Sequence, residues 1–136
     1  MTAAADERRL GVLADVNRVF DAFAGGDPRA LFEVIAEDAV WRVAGSVPVA
    51  RDYRGREEIF ELFRATRRLT GGTYRSRLHT VFADDDWAVA IYRATGSRNG
   101  IDLDVEQALV IRIADGLWQE VTAVPLDSAF ERFWAP

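Results

Sequence analysis

Arg77 and His79 stand two residues apart in a run, Thr73 to Ala83, that reads as a β-strand. In an extended strand that spacing puts both on one face. An imidazole titrates near neutral pH and serves as general acid or base. A guanidinium beside it favours the neutral, base-competent ring and can stabilise a developing enolate or phenolate. Where that face lines a cavity, the pair suits a cyclisation, isomerisation or dehydration that begins by removing an acidic C–H proton. His79 is then the base and Arg77 its partner. The plainer reading is a surface histidine stacked between Arg75 or Arg77 and an aromatic neighbour.

Other residues bear on a ligand more than on a reaction. Trp41 offers a flat wall for a planar or cyclic molecule, or is simply core. Tyr92 can donate a hydrogen bond to a carbonyl, or sit in the core or at a rim. Gln107 is the one amide on an otherwise apolar strand face, so it needs a partner, either within the protein or on a ligand. Asp104 and Glu106 share the opposite, polar face, where solvent or a second subunit meets them. Asp84-Asp85-Asp86 is too short an acidic turn to satisfy calcium. Asp38 and Asp127 read as caps and Glu120 as structural.

Composition removes several alternatives. The chain of 136 residues is 49% hydrophobic, which suits one domain with one core, 1–136. It has no cysteine, hence no disulfide and no thiol nucleophile. All 17 basic residues are arginine, so a lysine Schiff base is excluded; with the many alanines this points to GC-rich bacterial coding. A zinc site would rest on one imidazole plus carboxylates, an uncommon set, and no metal or cofactor is expected. A net charge of −5 without a continuous basic run argues against nucleic acid and anionic membranes as partners. No apolar run approaches the ~20 residues of a membrane span. Met1 to Glu7 lacks the regions of a signal peptide, so a cytoplasmic protein is expected.

The elements that must position these residues follow from periodicity. Leu13, Val16, Val19, Phe20 and Phe23 recur at helical spacing, and Gly25-Gly26 ends that helix. Asp27-Pro28 suits the start of a second helix, Ala39 to Val43 a short strand, and Gly45 to Gly55 a loop. A third helix runs from Arg56 to about Leu69, with Glu57 and Glu58 early and Arg64, Arg67 and Arg68 late, as the helix dipole prefers. After Gly71-Gly72 the period becomes two. Strands are expected over 73–83, 87–95, 101–113 and 117–124, joined by Asp84–Asp86, Asn99-Gly100 and Asp115-Gly116, turns that make hairpins. Pro125 stops the last strand, and Asp127 can cap a short helix carrying Phe130, Phe133 and Trp134.

Five segments carry a family resemblance: Phe23-Ala24-Gly25-Gly26-Asp27; Glu37-Asp38-Ala39-Val40-Trp41; Tyr53-Arg54-Gly55-Arg56-Glu57-Glu58-Ile59; Ala114-Asp115-Gly116-Leu117-Trp118-Gln119-Glu120; and Asp127 to Trp134. In this order and spacing the chain resembles the nuclear transport factor 2-like superfamily, in its SnoaL-like (polyketide-cyclase and ketosteroid-isomerase-like) branch. The resemblance implies an α+β fold: a curved antiparallel sheet wrapped around three N-terminal helices, with a cone-shaped pocket between them (a cystatin-like α+β barrel). It also implies dimerisation through the sheet. The positions that match the tyrosine and two acids of ketosteroid isomerases are Val19, Val43 and Leu109, none able to transfer a proton. Those matching limonene-epoxide-hydrolase-like enzymes are Trp41, Val43, His79 and Ala123, with Arg77 retained. Where SnoaL-like cyclases carry an acid, this chain has Val121 and Ala123. The resemblance therefore implies that these positions line the pocket.

Fold does not settle function. The first reading is a cofactor-independent cyclase, isomerase or dehydratase of a polyketide- or terpenoid-like substrate. The second is a protein that holds a small apolar ligand without changing it. The third is an accessory subunit that docks through its sheet.

Overall fold

The computed structural model describes residues 3–45 and 49–135. Helix α1, Ala3–Ala24, buries Val16, Val19 and Phe20 as expected, with Val12 buried where the spacing predicts Leu13, and Leu13 and Phe23 half-buried. It ends where Gly26 takes a positive φ of 79°. The Gly26 N–H then bonds Phe23 O at 2.9 Å and the Asp27 N–H bonds Ala22 O at 2.9 Å, the pattern of a glycine-capped helix end.

The second helix expected after Asp27 is only a 3-10 turn, Arg29–Glu33. Asp27 does serve it, since its Oδ1 accepts the Arg29 N–H at 2.9 Å. Strand β1, Ile35–Val43, begins earlier than the alternation predicts. Within the stretch read as a loop lies a short strand, β2, Asp52–Arg54; Ser46 to Pro48 of that stretch fall outside the described residues. Helix α2, Gly55–Leu69, follows and buries Ile59, Phe60 and Leu62. The remaining strands are β3 (Arg75–Ala83), β4 (Trp87–Arg98), β5 (Ile101–Ala114) and β6 (Leu117–Pro125), before α3 (Ala129–Trp134).

The tight turns work as their chemistry requires. Asn99 and Gly100 have φ of 53° and 77°, and Asp115 and Gly116 have 52° and 76°, the double left-handed geometry whose twist matches paired strands. Asp84 closes the β3–β4 turn by accepting the N–H groups of Asp86 and Trp87, each at 2.8 Å.

The sheet runs β2-β1-β6-β5-β4-β3. It is curved and unclosed, and mixed rather than wholly antiparallel, because β1 lies parallel to β6. A tight hairpin forces antiparallel pairing; β1 and β6 are far apart in the chain, so nothing local sets their direction. The inner face of β5 presents Leu103, Val105, Leu109 and Ile111 to the helices, all buried, each burial contributing about 1.5–3 kcal/mol.

Candidate functional site

Between the sheet and the helices lies a cavity of about 340 Å³, within the size range of small-molecule sites. Its walls are mainly aromatic. Phe20 meets Phe23 edge-on at 5.4 Å and lies 5.1 Å from Tyr92. Phe63 stands 5.6 Å from Phe23 and 5.3 Å from Trp41. Helix α3 contributes Phe130 and Trp134, the latter 6.3 Å from Tyr74. Such rings bury much area and leave flat surfaces for a cyclic ligand.

Few polar groups interrupt this wall. Gln107 is 3% exposed, and its Oε1 accepts the Tyr74 hydroxyl at 3.3 Å. Tyr92 pairs with Gln107 across β4 and β5, so both side chains stand side by side on the inner face. Among the described residues neither the Tyr92 hydroxyl nor the Gln107 amide nitrogen has a hydrogen-bond partner. Ser76 is the fourth member, buried beside Tyr74.

Burial governs the chemistry of these phenols. It pushes Tyr74 up to about 12, against a smaller opposing contribution from the Ser76 hydrogen bond. It also raises Tyr92 well above the ordinary tyrosine value, helped by the nearby Tyr74. Both remain protonated at neutral pH, so they donate hydrogen bonds and accept no proton from a substrate. No Asp, Glu or His lines the cavity among the described residues. Charge enters only as arginine: Arg64, Arg67 and Arg75.

Arg77 and His79 lie elsewhere, and the arrangement in which the pair faces the pocket is corrected, since neither borders the cavity. Both are exposed on the outer face of the sheet. The register of β3 against β4 slips between Leu78 and Thr80, leaving His79 as the extra residue of a bulge. Its Nδ1 stands 3.1 Å from Glu106 Oε1, with 66% of the side chain exposed. On the same face Arg93 pairs with Asp104, and Glu120 is gripped by Arg112 at 2.6 Å and Arg42 at 3.2 Å. Those two arginines hold the Glu120 carboxyl below its usual range.

Of the other positions singled out from the sequence, Trp41, Val43, Tyr92, Gln107, Leu109 and Ala123 border the cavity. Val19 and Val121 are fully buried but belong to the core beside it. Asp38 caps nothing; it sits in β1 and accepts from Gln119 at 3.0 Å. Tyr74, Ser76 and Arg75 escaped the sequence reading. The alternation Tyr74, Ser76, Leu78 carried the signal for the first two, since one inward residue on a strand implies every second one.

Residues 16–121 match the SnoaL-like domain family. The chain is 33% identical over 122 residues to Rv0034 of Mycobacterium tuberculosis, itself uncharacterised, spanning 88% of this chain and 93% of that one. Among solved structures, Bal32a from a soil-derived mobile gene cassette has a TM-score of 0.87 at 32% identity, covering 93% of this chain and 98% of that one. A Xanthomonas campestris protein of cystatin-like fold and unknown function has a TM-score of 0.82 at 24% identity, covering 91% and 98%; at that identity the likeness concerns the fold alone.

Proposed function

Since the chain belongs to the SnoaL-like domain family, we propose that it works through its cavity, binding a small cyclic, largely apolar molecule whose carbonyl or phenolic oxygen is held by Tyr92 and the Gln107 amide, with Tyr74 anchoring that amide through its Oε1. The observation that carries this reading is the pair of unpartnered donors, the Tyr92 hydroxyl and the Gln107 amide, in an otherwise aromatic wall. Both donors open onto the cavity, where only water or a ligand can meet them. A ligand oxygen placed there takes over that bonding, which ties recognition to one atom of the ligand. An acid–base cyclase or isomerase using His79 loses support, because the imidazole is on the other side of the sheet.

A fluorescence titration of the four tryptophans with 2-acetylnaphthalene tests this. Saturable binding weakened about tenfold by Tyr92→Phe is expected, the worth of one buried hydrogen bond. Failure to saturate at millimolar ligand would sink the reading.

The nearness of the Tyr92 hydroxyl and the Gln107 amide favours a second reading, an enzyme that polarises a substrate carbonyl. Those two groups would stabilise the enolate oxygen as donors, and the proton would leave to water. Exchange of the methyl protons of 2-acetylnaphthalene in D2O, followed by NMR, separates the two. Acceleration over buffer that Tyr92→Phe abolishes marks the enzyme; no acceleration marks the binding protein.

A further inference from the structure

Three basic side chains border the cavity and no acidic one does among the described residues, in a chain whose net charge is −5. The bias is local, and it lies where the cavity opens, since Arg64 and Arg67 are exposed while the aromatic wall behind them is largely buried. Arg64 is spent, its Nε bonding Glu61 Oε1 at 2.8 Å. The Arg67 guanidinium makes no hydrogen bond or ion pair among the described residues, and Arg75 makes no ion pair.

Arg75 is also held in place. Its Nη1 donates to Gly72 O and Tyr74 O, each at 2.8 Å. Its guanidinium lies so close over Gly26 that a Cβ there would meet Nη1 at 2.7 Å. Only glycine allows both that approach and the positive φ of the turn. Nη2 and Nε remain without partners among the described residues.

The ordinary use of arginines near helix ends, bonding the last carbonyls, does not account for Arg67. At the end of α1, Phe23 O and Ala22 O take the backbone N–H groups of Gly26 and Asp27; at the end of α2, Thr66 O and Arg67 O take those of Thr70 and Gly72. The helix dipole asks for positive charge there, but Arg68, one position on and off the cavity, answers that equally.

We propose that the cavity selects an amphiphilic carboxylic acid: a cyclic apolar body with an oxygen among the tyrosines and a carboxylate at the opening, between Arg67 and Arg75. This rests on the cavity-binding reading above and adds the class of ligand. A guanidinium matches a carboxylate as a planar fork, and the half-sheltered opening screens the pairing less than open water does.

The test compares 6-acetyl-2-naphthoate with 2-acetylnaphthalene, which differ only in the carboxylate. At low salt and neutral pH the acid is expected to bind about tenfold more tightly, as a charge-assisted hydrogen bond supplies. Raising salt to roughly 0.5 M should shrink that preference. R67Q and R75Q should each reduce it several-fold, R67K should keep only the part that charge alone supplies and R68Q should leave it intact, with thermal melts checking that each variant is folded. Because Arg75 also ties backbone carbonyls, R67Q is the deciding variant should R75Q melt early. Equal affinity for the two probes, or a preference that survives R67Q, overturns the carboxylate assignment while ketone binding keeps the cavity reading. If neither probe saturates, both fall together.

Discussion

Tyr92 and Arg93 are neighbours in β4, yet their side chains work in different solvents. Tyr92 points inward, 5% exposed, among aromatic rings. Arg93 points outward and pairs with Asp104. The outer face holds charged groups, several matched by an opposite one: Arg93 with Asp104 and Glu120 with Arg42 and Arg112, while the His79 ring lies against Glu106. Such pairs are screened by water and salt and contribute little each. The inner face holds a few neutral groups, where low dielectric makes each hydrogen bond count for more. The chemically richer residues are therefore on the face turned away from the cavity, and the proposed function assigns recognition to a neutral phenol and one amide.

The strongest way to break this contrast is to fill the cavity. Ala123→Trp on its wall should abolish detectable binding of 2-acetylnaphthalene, a loss of at least about a hundredfold, while overpacking costs about 1–3 kcal/mol of stability. Retained affinity would mean that the ligand binds elsewhere. Next in size is the alkaline limb of stability. In the unfolded chain tyrosine ionises near pH 10, whereas burial holds Tyr74 at about 12. Between those values the unfolded state has released a proton that the folded state keeps. Stability is thus whole below pH 10 and falls as pH rises through that window, by roughly 1–3 kcal/mol at its top. Chemical denaturation at stepped pH should show this slope, and Tyr74→Phe should make it shallower; an unchanged slope would place that phenol in water.

Gly26→Ala probes the opening. The positive φ and the contact with Arg75 should together cost about 1–2 kcal/mol, measured by thermal melting. The smallest effect is expected at His79. His79→Ala should shift stability by less than about 0.5 kcal/mol and leave ligand affinity unchanged. A marked loss of either would return function to the outer face.

Much of the architecture was legible in the chain. The alternation of β5, the Asn99-Gly100 and Asp115-Gly116 turns and the apolar stripe of α2 are local patterns, and each yields its element without reference to the rest. The aromatic wall was half legible: Trp41 and Tyr92 stood out as rings, while Phe63 and Phe23 looked like ordinary helical core. The polar group was less legible still, because Tyr74 lies just before β3, Tyr92 in β4 and Gln107 in β5, and they converge only when those strands pair.

The chain alone determined the two long helices, the hairpin strands with their turns and the absence of thiol and lysine chemistry, since these depend on residue identity and neighbours a few positions away. Tertiary structure decided the rest. The packing of the helices on one face of the sheet set that Arg77 and the only imidazole, His79, face away from the cavity, and long-range pairing laid β1 parallel to β6. Burial, a property of the assembled sheet and helices, turned two tyrosines into obligate donors. Side-chain direction along a strand reverses with a single slip in register, and no local pattern records where that slip occurs.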